Sequence, residues 1–136
     1  MVMIRRSRLQ RKVLVGLVVL AFVSGCGGRP DLDVWEGKWL DLAESVSEGI
    51  SGPTPPDRVG CDRLLGEIRG DLPGLQPAPN DVLEAAVVLW AEFGESVFFE
   101  CPLVRGEHAG WDAAVLELQR LRVEIDAEIE FERSRG

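Results

Sequence analysis

Between Asn80 and Phe99 the chain is apolar around most of the girth of a helix, which dictates what the rest must do. Val82, Ala86, Leu89, Trp90, Phe93 and Val97 recur at spacings of three and four and form one wide stripe. Leu83, Val87 and Val88 carry apolar surface to the opposite side. A helix with so little polar face is normally the buried one, so other helices are expected to surround it. Its ends are marked. Asn80, directly after Pro79, is a good N-cap, and Cys101-Pro102 closes the run because a residue before proline disfavours helix.

Three further segments supply the surroundings. From Asp33 to Ile50, Trp35, Trp39, Leu42, Val46 and Ile50 share one face, and Asp31 or Asp33 can cap the start. The prolines of residues 52–56 (GPTPP) end it and fix an extended linker. A shorter helix is expected over Asp57–Arg69, capped by Asp57, with Cys61, Leu64, Leu65 and Ile68 on its apolar face. Gly60 and Gly66 weaken it by up to about 1 kcal/mol each relative to alanine. Residues 70–79 read as an irregular connection that Leu72 and Leu75 can pin to the core.

The last segment, Glu107–Glu132, carries Trp111, Ala114, Val115, Leu118, Leu121, Ile125 and Ile129 at helical spacing. From Val123 to Glu132 apolar and acidic residues alternate with the period of a strand. Helix is still preferred there. No turn signal interrupts the run, and glutamate and alanine are poor strand formers. Acids crowd the negative end of the helix dipole, so fraying beyond Ile129 is expected. The fold expected for residues 32–133 is all-α, a small four-helix bundle-like domain.

Ahead of that domain, Arg5, Arg6, Arg8, Arg11 and Lys12 precede an uncharged apolar run over residues 13–23 and then Ser24, Gly25 and Cys26. A basic start, a short apolar run and small exit residues describe an export signal. The run is too short to span, since a membrane helix needs roughly 20 apolar residues. Val23-Ser24-Gly25-Cys26 resembles the lipobox of bacterial lipoproteins. The resemblance covers only about the first 26 positions. It implies that residues 1–25 are a lipoprotein signal peptide, that Cys26 is the lipidation site, and that residues 26–31 are a short tether. Acyl chains on Cys26 would then hold the protein to the lipid bilayer on the extracytoplasmic side of the cell envelope. An uncleaved anchor or an ordinary secretory signal are the alternatives.

With Cys26 acylated, Cys61 and Cys101 remain as an even pair in an oxidising compartment, and a disulfide between them is the favoured reading over two buried thiols. Closing a loop of about 40 residues is worth up to roughly 4 kcal/mol in the chain-entropy model. Charge narrows the partners. Five of the 15 Lys+Arg lie in the leader, so the mature chain keeps 10 against 23 Asp+Glu, a net charge near −13 instead of −8. Such a surface repels phosphate backbones, and no nucleic acid is expected as a partner.

Catalytic groupings are sparse. His108 is the only imidazole, and Ser45, Ser47, Ser51, Ser96 and Ser134 sit in no nucleophile context. Glu92, Glu95 and Glu100 can approach one helix end, but without tyrosine platforms a sugar site is not expected. The acids Glu124, Asp126, Glu128, Glu130 and Glu132 lack the glycine turn of a calcium loop. The expectation is no enzyme, no catalytic residue, no metal and no cofactor. Trp35, Trp39, Trp90 and Trp111 all fall on the core stripes, so core packing is their default reading. Phe98 and Phe99, adjacent on a helix, cannot both enter one core, and one is expected exposed or under the connection carrying Leu103 and Val104. Trp39, Trp90, Trp111, Phe98 and Phe99 are the candidate contacts for a ligand or an envelope protein partner. Two readings follow: a non-enzymatic protein-interaction module, or a carrier with an apolar or lipidic ligand in a Trp-lined pocket.

Overall fold

The computed structural model describes residues 28–101 and 108–136. Helix α1 is Leu32–Gly49, α2 is Arg58–Asp71, α3 is Asp81–Glu100 and α4 is His108–Arg135, with a 3-10 turn at Leu72–Leu75 between α2 and α3. Among the described residues there is no strand, so the chain is all-α. Three helix starts are fixed by side chains that satisfy otherwise orphaned amides. Asp31 accepts from the Asp33 N–H at 3.0 Å, Asp57 from Gly60 at 2.7 Å, and Asn80 from Leu83 at 2.8 Å. The stretch 123–131 is helical throughout. Its alternation divides between two faces: Ile125 and Ile129 point inward with Leu118 and Leu121, while Val123 and Phe131 face solvent.

The helices run alternately up and down, each bordering two others: α1 lies beside α2 and α4, and α3 lies beside α2 and α4. One end gathers the starts of α1 and α3 and the last turn of α4. There Trp35 Nε1 donates to the Leu75 carbonyl at 2.9 Å, and Asn80 Nδ2 to Glu132 at 3.2 Å. The other end holds the Cys61 and Cys101 pair, with Cα atoms 6.2 Å apart, inside the range a disulfide spans. In the interior, Trp39 stacks on Trp35 at 6.5 Å between ring centroids and meets Trp90 edge-on at 4.9 Å. Trp39 thus joins α1 to α3 across the bundle.

Helix α3 corrects the expectation of an enclosed centre. Leu83, Val87, Trp90, Ala91, Gly94 and Phe98 face inward, while Val82 and Leu89 are 58% and 53% exposed. At 100° per residue the exposed pair lies about 140° around the helix from the buried set. The reason is geometric: in a ring of four, every helix has an outer side, so α3 is one wall of the bundle. Two smaller differences concern segment ends. The connection after Arg69 is more regular than expected, since α2 continues to Asp71 and leads directly into the 3-10 turn, with Leu75 buried. Helix α4 runs on to Arg135, because Arg133 and Arg135 place cations in the last turn and Arg133 also pairs with Glu36 of α1 and with Glu130.

Close approach between α2 and α3 depends on Gly94. A Cβ there would stand 2.7 Å from Ile68 Cδ1 and 3.6 Å from Leu118. At exposed Gly66 a Cβ would meet nothing within 4 Å. Opposite signs are therefore expected: Gly66→Ala should stabilise by up to about 1 kcal/mol through helix propensity. Gly94→Leu should destabilise by about 1–3 kcal/mol through overpacking. Urea titration followed by far-UV circular dichroism measures both.

A polar clasp fastens α4 to α1. Arg122 donates to Ser47 Oγ at 2.6 Å and to the Ala43 carbonyl at 3.3 Å, and its Nε lies 3.6 Å from Asp126. Asp126 in turn accepts the indole N–H of fully buried Trp39 at 3.0 Å. Asp126→Ala strands that donor, and a loss of about 1–3 kcal/mol is expected in the same titration.

Candidate interaction surface

Among the described residues, the void that reaches the buried tryptophans leaves little room for a ligand. Trp39, Trp90, Trp111 and Phe98, candidate contacts by sequence, are all buried, at 0%, 2%, 3% and 0% exposure. The void that reaches Trp90, lined also by Val46, Ile50, Leu118 and Arg122, is about 10 Å³. That is no larger than the space for one water, whereas ligand pockets run to about 300 Å³ and more. A shallow depression of about 250 Å³ lies between α1 and the 3-10 turn, lined by Lys38, Asp41, Gly70, Asp71 and Gly74. Lys38, Asp41 and Asp71 make its lining polar.

Phe99 behaves differently from its neighbour. Adjacent helical residues point about 100° apart, and while Phe98 fills the core, Phe99 is 66% exposed in the last turn of α3. Val59, in the first turn of α2, is also exposed. Phe99 and Val59 each stand two residues before a cysteine of the Cys61–Cys101 pair, so that pair brings both to one end of the bundle. Leu103 and Val104, expected near Phe99, lie outside the described residues, as does Cys26.

Two other outward rows are apolar. Val82 and Leu89 lie on α3 beside half-buried Phe93. On α4, Leu116, Val123 and Phe131 face solvent, with the Arg135 guanidinium 5.5 Å from the Phe131 ring centroid. Arg120 sits within the α4 row and is held by Glu117 at 2.6 Å and by Glu124. Its hydrogen bond holds the Glu117 carboxyl below the usual range, and the two glutamates raise the Arg120 pKa in return. At Arg133, partial burial opposes the charge, and Glu36 and Glu130 outweigh it, so its pKa is raised.

Most of the acids considered as cation ligands are engaged elsewhere. Glu124 pairs with Arg120, Asp126 holds Trp39, Glu130 pairs with Arg133, and Glu132 accepts from Asn80. Among the described residues no His, Cys, Asp or Glu cluster is arranged to hold a metal. Glu95 faces Arg69 at 3.2 Å, while Glu92 and Glu100 are solvent-exposed. Ser45 bonds Glu67, Ser47 bonds Arg122, and Ser51 and Ser134 bond nearby carbonyls, which are structural roles. His108 opens α4. The sequence reading missed Arg29, which donates to the Ala78 carbonyl at 3.2 Å and pairs with Asp81. A lone arginine in a tether carries no periodic signal that could have revealed its partner.

No protein-family model matches this chain, and neither does any curated protein or solved structure. None of the described helices is long and apolar enough to cross a membrane.

Proposed function

We propose that the protein is an extracytoplasmic lipoprotein of the cell envelope, held to the bilayer by acyl chains on Cys26, and that it acts as a non-enzymatic protein-interaction module. One observation carries the reading of the domain. Its four tryptophans are buried in a packed interior, while Phe99 and Val59 stay exposed at the end that carries the cysteine pair. A large aromatic left in water is a natural anchor for another protein surface. The engagement of most of its acids and serines in internal bonds supports a binding role over chemistry.

The test is copurification from solubilised membranes. A stoichiometric companion is expected with the wild type. Burying one phenylalanine is worth about 1.5–3 kcal/mol, so Phe99→Asp should reduce recovery of that companion by roughly tenfold or more. Recovery of the wild type alone, or equal recovery with the variant, counts against the module. Cys26→Ala should move the chain from the membrane to the soluble fraction, as read by fractionation and immunoblot. Unchanged fractionation would sink the anchor.

A further inference from the structure

We infer that the bundle stands on a short leash, with the end formed by the starts of α1 and α3 turned to the bilayer and the Cys61–Cys101 end turned away. The inference rests on acylation of Cys26 and goes beyond it, because acylation by itself leaves orientation free.

The leash length follows from covalent geometry. Asp31 caps α1, so only the four residues 27–30, or five Cα–Cα steps, separate Cys26 from the rigid body. An extended chain covers at most about 3.6 Å per residue, which limits the reach to about 18 Å. Arg29 shortens it further. Its guanidinium donates to the Ala78 carbonyl at 3.2 Å, pairs with Asp81, and lies 3.8 Å from Glu84. Ala78 is fully buried, and Asp81 and Glu84 belong to the first turn of α3. Arg29, read as part of the tether, is therefore docked on the domain, and three residues of chain allow Cys26 to stray at most about 11 Å from its Cα.

That reach is small beside the molecule. Helix α3 has 20 residues and is about 30 Å long, so with the leashed end down Phe99 reaches a headgroup only if the domain lies on its side. The domain is also acidic, with 10 Lys+Arg against 23 Asp+Glu after residue 25, so anionic headgroups repel its flanks. An upright domain keeps most of that charge beyond the Debye length of about 8–10 Å from the lipid surface. Phe99 and Val59 then face away from the membrane.

Energy transfer to the membrane surface tests this. The acylated protein is reconstituted in phosphatidylethanolamine–phosphatidylglycerol vesicles carrying a headgroup acceptor dye. Donors are placed through an encoded azide residue at Ser51, which follows α1, or at Ser134, in the last turn of α4, leaving the cysteines untouched. With the two sites about 30 Å apart along the bundle axis, transfer from position 134 is expected to exceed that from position 51 about twofold or more. Inserting a ten-residue Gly-Ser segment between Gly28 and Arg29, together with Arg29→Ala, should bring the two values together. Equal transfer in the acylated, vesicle-bound protein overturns the orientation and leaves the anchor standing. An unchanged difference after the insertion shows that something other than the leash aligns the domain, and also overturns it. A chain whose Cys26 carries no diacylglycerol by mass spectrometry overturns the anchor, and the orientation with it.

Discussion

Trp39→Ala is expected to lower the unfolding free energy by about 3–5 kcal/mol, the range for removing a large aromatic from a packed core. Trp39 is fully buried and touches both remaining members of the indole cluster, Trp35 and Trp90. Its N–H also holds Asp126, whose other contact is Arg122. One truncation therefore opens a cavity on the bundle axis and leaves the Arg122–Asp126 clasp without its indole. A domain of this size has about 5–15 kcal/mol in all, so the variant should be partly unfolded at 37 °C if the wild type sits at the low end. Trp39→Phe separates the two contributions. It keeps most of the ring and loses the donor, and a cost of about 1–2 kcal/mol is expected. Combined with Asp126→Ala it should cost less than the sum of the two single changes, because both remove the same bond. Urea titrations give all four corners of the cycle. A Trp39→Ala loss below about 1 kcal/mol would contradict the packed interior.

Why these features differ in legibility is clear from particular residues. Helix starts are local, and a short polar side chain beside its own amides needs no tertiary partner, so Asp31, Asp57 and Asn80 could be read directly. The face of α1 was equally clear, because its acids lie opposite Trp35, Trp39, Leu42 and Val46. Helix α3 was read as buried all round, because a helix apolar on most sides has no direction of its own. Its buried side is decided by Ile68 and Leu118, which close on Gly94 from α2 and α4. Gly60 looked like a weakness, yet a Cβ there would stand 2.9 Å from the Pro56 ring, so the linker needs a glycine at that turn. Arg29, Arg122 and Arg133 act on residues 49 to 97 positions away, and no spacing rule reaches that far. Of the surface candidates, Phe99 was legible only through Phe98, since two adjacent aromatics cannot both enter one core.

Reduction, or replacement of both Cys61 and Cys101 by serine, is expected to cost about 4 kcal/mol and to lower the melting temperature by roughly 15 °C or more. The magnitude follows from a sequence separation of 40 and Cα atoms that already stand 6.2 Å apart, so bonding requires no rearrangement of the bundle. The loss should also be uneven. Helix α2 has 14 residues and three glycines, Gly60, Gly66 and Gly70, so its intrinsic helicity is poor. Both cysteines lie at the end where α2 begins and α3 stops, where the cross-link limits fraying of both. Amide exchange in the reduced protein should therefore accelerate first in residues 58–65, before α1 or the middle of α4 responds. Val59 and Phe99 would lose their fixed separation in the same step, so any partner bound through Phe99 should be released by reductant while the chain stays in the membrane fraction. Oxidised and reduced samples melting within about 2 °C of each other would show that packing alone holds this end. Alkylation of both thiols in the native, untreated protein would show that the pair is not bonded at all.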